Sequence, residues 1–421
     1  MDAKLCTAKP KETQTIEMAD ILRSLGEWFI RKQKLAPRQA QAFRNIVECR
    51  TAAKGGHLWR CSSCGEHVNE YNSCLDRHCP KCGGKARFKW VAARMSELIN
   101  TPYFHVVFTL PHELNSLISF NPSLLNLLFQ AASRTLLLFG RDPKYLGGEV
   151  GFITVLHTWN QKLQKHYHLH CIVPAGALSY DGQRWLAGRN PHYLFPVQAL
   201  SKTFRRLYWH GTKRLSPSDP VRSIAGTFKG LQDLLTQGAL NLPQDLKRHQ
   251  QQPEIKALEN RLYRKRWNVY AKRPFGGPAQ VLKYLGCYTH RVAISNRRLL
   301  SHRKGRVTFS WKDRKNVTRP RTLELAEEEF AKRFLQHVMP RGFMKIRSYG
   351  FLSSRRKKHC LQQCKKLLGE PDLPSALTTE ESEAQDTPRI CPHCQKPCLE
   401  LVRRLSRCWQ VWARRLLWDT S

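Results

Sequence analysis

The sequence predicts an α+β protein. Apolar runs of strand length and amphipathic helical stretches alternate along the chain without a strict βαβ rhythm. The 421 residues with 10% aromatic content are enough for several packed cores, which argues against a disordered chain. Cysteine-dense, turn-rich segments lie near both ends, where metal rather than apolar packing would hold the fold.

Residues 16 to 49 show helical spacing, with Ile21, Leu22, Leu25, Trp28 and Phe29 on one face and a break at Leu35-Ala36-Pro37 before a second helix. Cys61 to Cys82 is rich in turns and has little core of its own. A helix is expected over Trp90 to Ile99, then a strand over Phe104 to Thr109, a helix over Pro122 to Phe139, and strands over Phe152 to Thr158 and Tyr167 to Val173. Gly276-Gly277-Pro278 precedes a helix over Ala279 to His290. Strands over Arg306 to Trp311 and Met344 to Tyr349 flank a helix over Leu323 to Val338. The acidic, apolar-poor stretch from Gly369 to Pro388 reads as a flexible linker. The expected organisation is a helical and zinc-binding region over 1–100, a catalytic domain over 101–368, the linker over 369–390 and a small cysteine module with a basic helix over 391–421.

Charge narrows the class of partner. Lys and Arg number 71 against 32 Asp and Glu, a formal net charge of +39. So large an excess on a globular composition repels itself unless an anionic polymer is the partner, and nucleic acid fits that role. No apolar run reaches the roughly 18 to 20 residues of a spanning helix, and the first twenty residues have no signal-peptide core, so a cytoplasmic chain with no membrane partner is expected.

Cys61-Ser-Ser-Cys64 and Cys79-Pro-Lys-Cys82 are two knuckles separated by fourteen residues. Each pair can supply two thiolates to one tetrahedral structural Zn²⁺. Cys74 and His78 lie between them as alternative ligands, and His57 is a further candidate for a second site. Near the other end, Cys391-Pro-His-Cys394 is a single knuckle, to be completed by Cys360 and Cys364 or by Cys398 and Cys408.

His168-Leu-His170 opens an apolar strand. Side chains two apart on a strand share a face, so these two imidazoles project together and suit a divalent metal with positions open to substrate. Over a hundred residues later, Gln280, Tyr284 and Tyr288 fall at i, i+4 and i+8 and would share one helical face. A tyrosine hydroxyl held in line with a phosphodiester can attack it when a metal withdraws charge from the phosphate oxygens.

Arg60-Cys61, Cys64-Gly65, Ser73-Cys74, the run Arg77 to Cys82, Phe108 to Glu113, His168-Leu-His170 and Tyr284-Leu-Gly-Cys-Tyr288 together resemble the insertion-sequence 91 type of rolling-circle transposases, two-tyrosine members of the HUH endonuclease superfamily. The likeness continues through Val292 to Arg298, Val307 to Asp313 and Gly342 to Arg347, and so covers most of the chain. It implies an HUH-type catalytic domain with a central antiparallel sheet flanked by helices. His168 and His170 would bind Mg²⁺ or Mn²⁺, with Tyr284 and Tyr288 as nucleophiles forming 5′-phosphotyrosine links to single-stranded element ends. Such a link conserves the phosphodiester energy, so no nucleotide cofactor is needed. Gln280 is the preferred third ligand, with His157, Asn160 and His166 as rivals.

Arg291, Arg297, Arg298, Arg303, Lys304 and Arg306 are the expected phosphate contacts, together with Arg355 to Lys358 and Arg403-Arg404. Trp159, Phe309 and Trp311 are candidates for stacking on unpaired bases. Two other readings remain: a replication initiator or relaxase using the same chemistry at an origin, and a zinc-containing DNA-binding protein without catalysis.

Overall fold

The computed structural model describes residues 16–188, 190, 193–212, 227–242, 244–248, 251–272, 293–312, 320–371 and 389–407. The fold is α+β, as the mixed pattern predicts. Helices α1 (Met18–Lys32) and α2 (Pro37–Val47) come first, the second opening on Pro37, whose missing N–H costs nothing at a helix start. A hairpin of β1 (Gly56–Cys61) and β2 (His67–Tyr71) follows, then α3 (Gly83–Met95), which begins earlier and ends earlier than the expected Trp90 to Ile99.

Strand β3 (Tyr103–Thr109), helix α5 (Leu124–Arg141) and strands β4 (Phe152–Trp159) and β5 (Lys165–Pro174) keep the predicted order, with an additional short helix α4 (Asn115–Phe120) ahead of α5. A small hairpin, β6 (Gly176–Leu178) and β7 (Trp185–Ala187), leads to α6 (Val197–His210), α7 (Leu231–Thr236), α8 (Gln244–Lys247), α9 (Gln252–Arg264) and β8 (Val269–Lys272). The meander β9 (Leu299–Arg303), β10 (Arg306–Trp311) and β11 (Arg321–Ala326) precedes α10 (Glu327–Leu335), β12 (Ile346–Tyr349), α11 (Lys357–Leu368) and β13 (Leu399–Leu405). The expected Leu323 to Val338 helix is thus divided: its first residues pair with β10, and the helix begins at the acidic run Glu327 to Glu329, which suits the positive end of the helix dipole.

The central sheet has the order β12-β4-β5-β3-β8, every pair antiparallel. Its two faces differ in chemistry. Phe104, Val106 and Phe108 of β3, Phe152 and Leu156 of β4, and Leu169, Cys171 and Val173 of β5 point into a core shared with α5 and α6 through Phe129, Leu136, Phe204 and Tyr208. Each such side chain contributes about 1.5 to 3 kcal/mol on burial, which fixes the register and so the opposite face. That face carries Ile153, Val155 and His157 on β4 beside Ile172, His170 and His168 on β5, residue for residue. At its apolar end Ile153 and Ile172 pack with Met95, Ile99, Cys360, Leu361 and Cys364; at the other end lie the histidines.

A second core joins α1 and α2 to the β9–β11 meander and α10, with Phe29 and Phe43 packed alongside Phe309, Phe330 and Phe334. The boundary expected at residue 100 therefore does not divide the cores: the N-terminal helices pack against residues three hundred positions away. Trp28 does not share the buried face; it is 50% exposed, with the Lys32 ammonium 4.3 Å from its ring centre. Phe309 is fully buried in this core, so it is packing rather than a stacking platform. The C-terminal module does not stand apart either, because β13 pairs antiparallel with β1 in a β13-β1-β2 sheet. Among the described residues no helix is long and apolar enough to cross a membrane.

Candidate functional site

His168 and His170 alternate with the core residues Leu169 and Cys171, so the packing that buries one set aims the other at the opposite face. His157 lies directly across from His168 on β4. All three are buried, and one ring nitrogen from each lies within 4.8 Å of the others. Ring centres are 4.2 Å apart for His157 and His170, 4.9 Å for His168 and His170, and 5.2 Å for His157 and His168.

The outer nitrogens are engaged in ways that orient the rings. His168 Nδ1 lies 2.9 Å from the His166 carbonyl, an acceptor only, so Nδ1 carries the proton and Nε2 has a lone pair. His170 Nδ1 lies 2.7 Å from His105 Nε2, with the two rings stacked 5.0 Å apart. Burial, reinforced by the neighbouring imidazoles, pushes His157 well below its usual value, and burial pulls His105 down to about 4. Neutral imidazoles are the metal-binding form. Trp159 stacks on His157 at 4.9 Å, and the Lys345 ammonium lies 5.7 Å from the Trp159 ring centre. Desolvation first, then Arg77, lowers the Lys345 amine to about 7.

Of the candidates for a third ligand, the structure brings His157 to the pair. Asn160 is spent on the β4–β5 turn, its Oδ1 accepting from the Lys162 and Gln164 amides at 2.9 Å each. His166 lends its carbonyl to His168 and lies outside the three-histidine cluster. Gln280, Tyr284, Tyr288 and Arg291 lie outside the described residues. His105 had no motif to announce it; only its β3 register, two strands from His157, places it beside His170.

The cysteines group differently from the expectation. Cys61 and Cys64 are not joined to Cys79 and Cys82. The β1–β2 hairpin carries the first knuckle to its tip, and five residues of strand at about 3.3 Å each separate that tip from the hairpin's base. At the base, Cys74, Cys79 and Cys82 meet Cys49, which follows the end of α2. Cys82 Sγ is 3.4 Å from Cys49 Sγ and 3.5 Å from Cys74 Sγ, near the roughly 3.8 Å edge of a tetrahedron with Zn–S bonds of about 2.3 Å. Cys49 escaped the sequence reading because it belongs to no C-x-x-C pair. At the tip, Cys61 and Cys64 meet Cys391 and Cys394, with Cys398 alongside. Cys360 and Cys364 do not complete that knuckle; they are buried on α11 in an apolar core. Cys408 lies outside the described residues.

His78 is not a ligand. Its Nδ1 lies 2.9 Å from Asp76 Oδ1, and its Nε2 accepts from the Met339 amide at 3.3 Å. Asp76 also takes two bonds from Arg38 and one from Asn45. Burial alone would raise the Asp76 pKa, but His78, Arg38 and Asn45 hold it far below the usual carboxylate range; burial leaves His78 at about 4. His57 belongs to none of the clusters; its ring lies 6.0 Å from Trp59.

Among the basic residues, Arg298 faces inward: Nε donates to Ser310 O at 2.7 Å and one terminal nitrogen to Gln161 O at 2.6 Å. Arg297, Arg303, Lys304 and Arg306 are exposed, the last paired with Glu324. Arg303 and Arg306 flank a two-residue turn in which Lys304 (φ 49°) and Gly305 (φ 68°) are both left-handed, the type I′ geometry that matches strand twist. Trp311 lies under Lys162 at 4.3 Å and Arg321 at 5.9 Å.

The sheet with its buried histidine trio and the N-terminal cysteine cluster both lie within regions that match known protein families. The family described as "Transposase zinc-binding domain" matches residues 21–110, and that described as "Putative transposase" matches residues 151–359. The chain is 40% identical over 411 residues to the "Putative transposase y4qJ" of Sinorhizobium fredii (strain NBRC 101917 / NGR234), covering 94% of this chain and 98% of the relative. It is 29% identical over 321 residues to the transposase for insertion sequence element IS801 of Pseudomonas savastanoi pv. phaseolicola, covering 75% of this chain and 71% of that one. The chain belongs to the family of transposases of the insertion-sequence 91 type. No solved structure matches it.

Proposed function

We propose that this transposase cuts and rejoins single-stranded DNA at the ends of its element, with His157, His168 and His170 as the ligands of a Mg²⁺ or Mn²⁺ and with Tyr284 and Tyr288 as nucleophiles. The observation that carries this reading is the buried histidine trio, with His157 held well below its usual pKa by burial and with the other two rings oriented by the His166 carbonyl and by His105. The bound ion supplies Lewis-acid withdrawal of charge from the non-bridging phosphate oxygens. A tyrosine oxygen attacks phosphorus and loses its proton, the strand's 3′ oxygen leaves and gains one, and a 5′-phosphotyrosine remains. Reversal by a new 3′ hydroxyl reseals the strand without nucleotide hydrolysis. Two tyrosines four residues apart suit a one-ended transfer in which one holds the first 5′ end while the other attacks a second site. The zinc-binding reading of the N-terminal module rests on Cys49, Cys74, Cys79 and Cys82.

The test is a denaturing gel of labelled single-stranded oligonucleotides from both element ends, with Mg²⁺ or Mn²⁺ added at fixed zinc content. Label shifted to protein mass, lost in Tyr284→Phe/Tyr288→Phe and in His157→Ala, is expected. Tight binding without adduct, over both ends and both metals, would overturn the reading in favour of a non-catalytic binder.

A further inference from the structure

We infer that Cys61, Cys64, Cys391 and Cys394 form a second, closed tetrathiolate zinc site that clasps the arm after residue 388 onto the N-terminal hairpin. The arm lies beyond both family matches, which end at residues 110 and 359. Two half-sites more than three hundred residues apart meet as matched knuckles. In each C-x-x-C pair, the residue after the second cysteine is left-handed, Gly65 at φ 75° and Gln395 at φ 58°. In each, that residue's amide donates to the first cysteine's carbonyl at 2.9 Å, Gly65 to Cys61 and Gln395 to Cys391. The Cys64 amide also donates to Cys61 Sγ at 3.2 Å, which favours a thiolate there.

The sulfur spacing suits zinc. Cys61 and Cys394 are 3.6 Å apart and Cys64 and Cys391 are 3.8 Å apart, against roughly 3.8 Å for the edge of a zinc tetrathiolate and about 2.05 Å for a disulfide. The Ser62 amide donates to Cys398 O at 2.9 Å, and Cys61 pairs with Leu399, so the backbone ladder brings the two knuckles together. Cys398 lies 3.2 Å from Cys61 and 4.0 Å from Cys394, a fifth thiol beside the four.

The sheet needs such a staple. Strands β2 and β13 contain no buried residue, and Leu401 and Val402 are 46% and 50% exposed. Three short strands without an apolar face do not fold on packing alone, and small β-modules of this kind commonly draw their folding energy from a metal.

The test measures zinc by native mass spectrometry on the full chain. Two zinc ions per wild-type chain are expected. Cys391→Ser/Cys394→Ser should hold one and Cys74→Ser/Cys79→Ser the other, with amide exchange of residues 399–405 accelerated in the first variant only. One zinc in the wild type, or an unchanged content in Cys391→Ser/Cys394→Ser, would overturn the inference. Alkylation of the zinc-replete wild type covers the case in which a variant fails to fold. Cys391 and Cys394 should be protected together with Cys61 and Cys64 and released in the same chelation step; immediate labelling of Cys391 and Cys394 alone would overturn the clasp.

Discussion

His105→Leu tests whether the trio is a metal centre through a residue that touches no metal. If His170 binds through Nε2, its Nδ1 carries a proton and donates it across 2.7 Å to His105 Nε2. Leucine keeps the strand apolar and removes that acceptor. Loss of such an orienting partner reduces metal affinity about 10- to 100-fold, or roughly 1.4 to 2.7 kcal/mol at 1.36 kcal/mol per tenfold. His105→Gln, whose Oε1 can accept the same proton, should recover most of the loss. The assay is Mn²⁺ titration followed by electron paramagnetic resonance on zinc-replete protein, with His170→Ala as the variant that loses the site. Full Mn²⁺ affinity in His105→Leu beside abolished binding in His170→Ala would refute the tautomer argument.

Further predictions concern the Asp76 network, acid stability and the basic surface. Asp76→Asn leaves Arg38 facing a neutral amide at a buried position and should cost about 3 to 5 kcal/mol in denaturant unfolding with zinc saturating. His78, at about 4, and His337, held at about 3 chiefly by burial, are neutral in the folded chain but would protonate near 6.5 once unfolded. Their contribution is therefore full above pH 6.5 and falls as pH drops through the window toward those values, by about 1.4 kcal/mol per pH unit for each. Removing the titrating ring in His337→Gln should flatten the pH dependence of the unfolding free energy by that amount; an unchanged slope would count against it. Arg303→Ala should reduce the dependence of DNA affinity on log salt by about 1. Arg298→Ala should leave that slope unchanged and instead lower the melting temperature, because its guanidinium donates to the backbone carbonyls of Ser310, Gln161 and Ala293.

What the sequence made legible follows periodicity and local spacing. The central strands show through because one face is continuously apolar, and His168-x-His170 shows through because strand period two acts within three residues. His157 was visible only as one of three rivals, since its choice depends on the β4–β5 register rather than on any spacing. The cysteine pairs were seen as pairs, but nearness in sequence suggested the wrong partners. A hairpin separated Cys61 from Cys79 while a C-terminal strand delivered Cys391, and no local signal encodes a contact across that distance. Cys49 and His105 carry no motif, so only tertiary structure assigns them.

The cysteine module and the histidine face are also mechanically joined, which changes how metal removal should be interpreted. Arg77, between the ligand candidates Cys74 and Cys79, donates to the carbonyls of Phe343 at 2.8 Å and Pro340 at 3.1 Å, while His78 receives the Met339 amide. That same segment runs on to Lys345, whose carbonyl takes the Leu156 amide at 2.9 Å, one residue before His157. Stripping zinc from Cys49, Cys74, Cys79 and Cys82 would free the loop holding Arg77 and His78, and with it the backbone that positions His157. Loss of cleavage in a strong chelator therefore has two physical routes, one through an open site on the sheet and one through a closed site that buttresses it. They separate by exchange: Mg²⁺ or Mn²⁺ added to chelated protein restores an open site at once, whereas a collapsed tetrathiolate recovers only with zinc and reducing agent. Recovery by Mg²⁺ alone, with zinc content shown to be intact, is the result that assigns the reaction to the histidines.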